Sequence, residues 1–264
     1  MTASGLPSGG TSSGPSLPAP VAAPRGTPRG SVGRLYGVFL RHQLTTGRIA
    51  LMVVLAGVAV LLGFAIGVAS DRPLRDATEF MNGYGFTIVV PLCSLVFASS
   101  TLGDTIDDRT LVYLWMTPVA RSRMALAAAL AALTVTLPLV TIPLTIAAAL
   151  TGVGSELIIS TALAAVVGTV AYVGIFGALG LRFRRALVWG IAYILIWEGF
   201  VATASETAAK LSLRAYTASI LSQYTGVGLR LGTLTLGSSL LVPPLVALAF
   251  TALTARLLAR TDVD

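Results

Sequence analysis

Few residues in this chain are of a type and spacing able to do chemistry. Asp104, Asp107 and Asp108, in "DTIDD", stand at i, i+3 and i+4 and share one face of a helix. Aspartates so placed can hold magnesium on a diphosphate when a second acidic cluster faces them. The other acids expected on that side, Asp262 and Asp264, lie in the terminal "TDVD" and make no such cluster. A P-loop needs a glycine-flanked lysine followed by Ser or Thr. The only lysine, Lys210 in "ETAAKLS", has no glycine before it and Leu211 after it. The single histidine, His42, rules out H-E-x-x-H and leaves Ser-His-Asp chemistry to a residue outside the apolar runs. The lone Cys93 can form neither an internal disulfide nor a cysteine metal cluster, and packing accounts for it. The expectation is no catalytic residue and no metal or cofactor bound directly. Glu198 remains, in "YILIWEGF". It is the one charge in an apolar run over 186–205, where an unpaired ionisable group costs several kcal/mol. Two readings stand for it: a pathway or gating residue, or a structural hydrogen bond to a helix end.

The elements that position these residues follow from composition. The chain of 264 residues is 55% hydrophobic and 11% charged, against about 25% charged for a soluble domain. Too few polar groups exist to cover a water-exposed surface, so the bilayer is part of the solvent. Apolar runs long enough to span it recur along the sequence. The expected fold is all-α, a bundle of six transmembrane helices over about 49–70, 80–103, 124–151, 157–181, 186–205 and 235–255. Long alternating stretches are lacking, which argues against an outer-membrane barrel. Residues 1–30 are mostly Gly, Ser, Pro, Thr and Ala, an expected disordered tail without the apolar core of a secretory signal. Residues 31–264 are expected to form the membrane-spanning body. "SVGRLYGVFLRHQLTTGR" follows the tail, with Val32, Leu35, Tyr36, Phe39 and Leu40 at helical spacing. It reads as an interfacial helix on the membrane surface.

Charge orients the bundle. Seventeen of the 18 cations are arginine. With the N-terminus inside, 13 of the 18 fall in cytoplasmic segments and 5 outside, so the positive-inside rule puts both termini in the cytoplasm of a bacterial cell membrane. Topology explains the basic balance better than nucleic acid does. "LRFRRAL" over 181–187 reads first as a topology and anionic-lipid anchor, second as a partner contact. Gly63 and Gly67 in the first span, and Gly174, Gly177 and Gly180 in the fourth, have the spacing of close helix contacts. Pro91, Pro138 and Pro143 are expected to bend their spans. In the long connection over 206–230, Ala208, Leu211, Ala215 and Ala218 recur at helical spacing, as in an interfacial or re-entrant helix.

The charged island "GDTIDDRTLVYLWMTPVARSR" then falls between the second and third spans, in the cytoplasm. The expectation is a short helix over 104–117, its acids in the first turn at the positive end of the dipole. Pro118 ends it, and Arg121 and Arg123 open the next span. Leu111 to Met116 is a bulky apolar run that water alone would leave uncovered. A helix that docks on a partner is the sharper reading.

"DDRTLVYLWMTPVARSRMALA" resembles the cytosolic segment of ABC type-2 transporter permeases, the membrane subunits of ABC exporters. The shared pattern is an acidic-basic cluster (Asp107, Asp108, Arg109), Thr110-Leu111, an apolar helix, then Pro118-x-x-Arg121. It departs in having aspartate where many relatives have glutamate. "YILIWEGF" is similar to the family's fifth span. The resemblance implies a homo- or heterodimer of permease subunits bound to separate ABC ATPase subunits, which carry ATP and magnesium. It implies ATPase docking by Asp104, Asp107, Asp108, Arg109, Leu111, Leu114, Trp115 and Arg121. A magnesium-dependent lipid enzyme and a secondary transporter using Glu198 stay open as alternatives.

Overall fold

A computed structural model describes residues 31–43, 45–107, 120–183 and 185–260. Among these residues the chain is helical, joined by short turns, with no strand. Five helices are long and apolar enough to cross a membrane: Thr46–Ala69, Pro73–Thr101, Arg121–Leu150, Ser155–Arg182 and Leu236–Ala259. The sixth apolar run forms a shorter helix, Ala186–Val201. In chain order the elements are α1 (Ser31–Gln43), α2 (Thr46–Ala69), α3 (Pro73–Phe80), a π segment (Met81–Val89) and α4 (Val90–Asp107). They continue as α5 (Arg121–Leu150), α6 (Ser155–Arg182), α7 (Ala186–Ala192), a second π segment (Tyr193–Val201), α8 (Leu213–Thr225) and α9 (Leu236–Arg260), with single helical turns at Ala202–Ala204 and Glu206–Ala209.

The α6 helix is the centre of the bundle, packed against α4, α5, α8 and α9. Its small residues make this possible. A Cβ on Gly174 would lie 2.7 Å from the Ala247 Cα of α9, and one on Gly180 would collide with the Ser99 backbone of α4. Gly63 and Gly67 of α2 meet the α5 backbone at Ala147 and Leu150 in the same way, which is the close approach that GxxxG spacing permits. Gly177 differs: it has no such neighbour within 4 Å and borders a small void between α4, α5, α6 and α9.

The second span begins earlier than the expected residue 80. Pro73 starts α3 at a position where its missing N–H is no loss, and Arg75 and Glu79 pair at 2.9 Å one turn apart. Pro91 follows a π segment rather than sitting in a plain α-helix. A proline has no N–H to give the carbonyl four residues back and crowds it. The wider π turn accommodates this, the N–H of Val90 bonding Gly85 five residues back. The α5 helix runs unbroken through Pro138 and Pro143.

The expected N-terminal helix, α1, forms and packs one face on protein: Leu35 and Phe39 are buried with Met124, Ala128 and Leu258, so α1 lies against the start of α5 and the end of α9, while Val38 is exposed. The Gln43 Nε2 donates to Thr101 Oγ1 of α4 at 2.8 Å, and Tyr36 Oη to Thr134 Oγ1 of α5 at 3.0 Å. The helix start expected at Asp104 is corrected, because α4 continues through Asp107; the rest of that expected helix, 108–117, lies outside the described residues. Ser99 and Thr101 hydroxyls donate back to Leu95 and Phe97 carbonyls at 2.6 and 2.7 Å within α4. Asp104 and Asp107 therefore stand at the far end of a long helix, not in the favoured first turn of a short one.

Candidate functional site: a buried carboxylate at a helix start

The best-built polar group among the described residues surrounds Glu198, which is 2% exposed. It projects from the π segment Tyr193–Val201, whose other side faces outward with Leu195, Ile196 and Phe200 exposed. The carboxylate meets the N-terminus of α8. Glu198 Oε1 accepts from the Leu213 N–H at 3.1 Å and the Tyr193 hydroxyl at 3.2 Å. Oε2 accepts from the Arg214 N–H at 3.3 Å and, in a short contact, from the Ser212 hydroxyl. Each oxygen thus takes two donors.

The local chemistry explains the arrangement. The first N–H groups of a helix have no partner within it, and a serine at the N-cap normally supplies one. Ser212 occupies that position, but its hydroxyl makes no cap bond to its own helix; it donates to Glu198 instead. The cap comes from another helix, and the carboxylate sits at the positive end of the α8 dipole. This matters because α8 is buried nearly throughout, from Leu213 through Ser219, Ile220 and Leu221. Open amides at such a start would cost about 1–3 kcal/mol each. At the other end Gly226, at φ +69°, supplies the left-handed cap. Ser219 Oγ accepts from the Leu234 N–H at 3.1 Å and ties the following loop to the helix.

Aromatic rings fix the carboxylate's surroundings. Tyr172 and Phe176 of α6 stack at 5.6 Å, and Phe176 meets the Tyr193 ring edge-on at 6.0 Å. The Arg214 Nε is buried without a hydrogen-bond partner, and the buried Tyr172 hydroxyl faces the same carboxylate.

The hydrogen bonds to a helix end expected of Glu198 in its structural reading are present. Its partners Ser212, Tyr193 and the α8 amides were not singled out from the sequence. Ser212 before a helical stretch is an N-cap signal, but nothing local says that its hydroxyl serves an acid 14 residues back. Of the docking residues, Asp104 and Asp107 lie at the end of α4 and Arg121 opens α5. Asp108, Arg109, Leu111, Leu114 and Trp115 lie outside the described residues. The expected re-entrant segment is broken between Ala209 and Leu213, and Ala215 and Ala218 belong to buried α8 while Leu211 is exposed. Among the described residues no group of three His, Cys, Asp or Glu side chains could hold a metal. No protein-family model and no curated protein matches the chain.

Proposed function

We propose that this chain is the membrane-spanning permease subunit of an ABC exporter, driven by a separate ATPase subunit. The observation that carries the proposal is the joint at one end of the bundle. There α1 is bonded to both α4 and α5 through Gln43–Thr101 and Tyr36–Thr134 and buries Leu35 and Phe39 on α5. The segment over 108–119 connects those same two spans. A partner pushing on it would act on α4, α5 and α1 together. Coupling then requires only that the docked partner favour one arrangement of these helices over another.

Other features support the same reading. Counting Ala186–Val201 as a short span gives six, with both termini on the arginine-rich cytoplasmic side of a bacterial cell membrane. The sequence has no P-loop, so in this reading ATP and magnesium belong to the partner. Docking falls to Asp104, Asp107, Asp108, Arg109, Leu111, Leu114, Trp115 and Arg121, within a dimer of such subunits. Glu198 becomes a positioning residue that seats α8 between the last two membrane helices. The four donors already on its carboxylate favour this over a proton- or ion-carrying role.

The test is a mild-detergent pull-down of the tagged chain from its native cells, with mass spectrometry of what co-purifies. A P-loop ATPase should appear, and should disappear when Leu114 and Trp115 are made polar. Recovery of no ATPase across several detergents would overturn the proposal.

A further inference from the structure

We infer that the groove beside α7 is a binding site for one anionic phospholipid, with an acyl chain along the groove and the headgroup on Arg182 and Arg185. The groove, about 330 Å³, lies between the end of α6 and the helix Ala186–Val201, and its wall exposes only carbon. Phe183 and Trp189 form its mouth, their rings 5.3 Å apart. Tyr193, Ile196 and Trp197 continue it along the second helix. The Arg182 guanidinium lies over the Phe183 ring, 5.6 Å from its centre, so a cation is fixed at the mouth itself. Arg185, which precedes α7, is exposed beside it.

Charge selects the occupant. Among the described residues no acid pairs with either arginine. The nearest acid in the wall helix, Glu198, is turned inward and saturated. An anionic headgroup at the mouth would satisfy both cations while the chain covers the apolar wall. A second copy is a poorer fit: a twofold axis along the membrane normal would bring the arginines of both copies to the same end, where like charges repel. The inference holds whether or not the chain is an exporter subunit, since it needs only a bilayer.

Tryptophan quenching tests it directly. In Trp115→Phe the remaining tryptophans are Trp189 and Trp197, both lining the groove. The full chain is reconstituted in phosphatidylcholine bilayers with a small fraction of phosphatidylglycerol or phosphatidylcholine brominated on the acyl chain. Two juxtamembrane arginines should give brominated phosphatidylglycerol an apparent affinity on the order of tenfold higher. Arg182→Gln with Arg185→Gln, at exposed positions and with Arg184 kept, should bring the two lipids level. Equal quenching in the parent protein, or a preference that survives in the glutamine variant, would overturn the inference. So would no quenching by either lipid, which would mean that protein, such as a second copy, covers the groove.

Discussion

At the scale of single residues the molecule turns on one carboxylate that serves a helix other than its own. Glu198→Ala leaves the Leu213 and Arg214 amides and two hydroxyls without their acceptor. A loss on the order of 3 kcal/mol in unfolding free energy is expected in detergent. Ser212→Ala removes one donor of four and should cost about 1 kcal/mol. The double variant should be less destabilised than the sum, since both changes act on one network. An unfolding midpoint for Glu198→Ala equal to that of the parent would show that the cap carries no stability. Glu198 stood out in the sequence because a lone charge in an apolar run demands a partner. The identity of the partner did not, because 14 to 16 residues of chain separate the acid from its donors, and only the fold of the intervening turns brings them together.

At the scale of elements, backbone contact through glycine decides the packing. Gly63→Leu and Gly67→Leu would force α2 off the α5 backbone. Each should destabilise the bundle by about 1–3 kcal/mol, the ordinary cost of overpacking, read by the same unfolding assay. Gly177→Ala has open space before it and should instead stabilise by about 0.5–1 kcal/mol through helix propensity. Equal effects at Gly63 and Gly177 would contradict the difference in their surroundings. Spacing alone grouped Gly177 with Gly174 and Gly180, since periodicity reports which face a residue shares but not how near the neighbouring backbone comes. Similar physics explains the misplaced helix ends. "RPLRDATEF" has the charge of a loop, yet an i,i+4 ion pair and a leading proline make it the first turns of a span. The start expected at Asp104 rested on acids alone, whereas the hydroxyls before it bond backwards and let α4 run on.

At the scale of the whole molecule the bilayer-spanning class was legible from composition, because 11% charge leaves no other solvent for so much apolar surface. The protein contacts of α1 and the burial of α8 were not, because amphipathic spacing looks the same whether the apolar face meets lipid or protein. The exporter proposal makes its prediction here. Asp107→Ala with Asp108→Ala should leave insertion and folding intact while ATP hydrolysis by the partner no longer drives transport, measured in vesicles holding both subunits. Unchanged ATP-driven transport in that variant would remove the docking role. The seat of α8 also bears on how the protein is made. A chain leaves the ribosome N-terminus first, so Glu198 is synthesised 14 to 16 residues ahead of Ser212, Leu213 and Arg214. At about 5–20 residues per second the acid waits on the order of a second for its donors. When Glu198 is made, only the Tyr193 hydroxyl among its four donors is already in the chain. The acid's final seating depends on a segment that follows it in the chain, so the stretch from α7 through α8 folds as one unit.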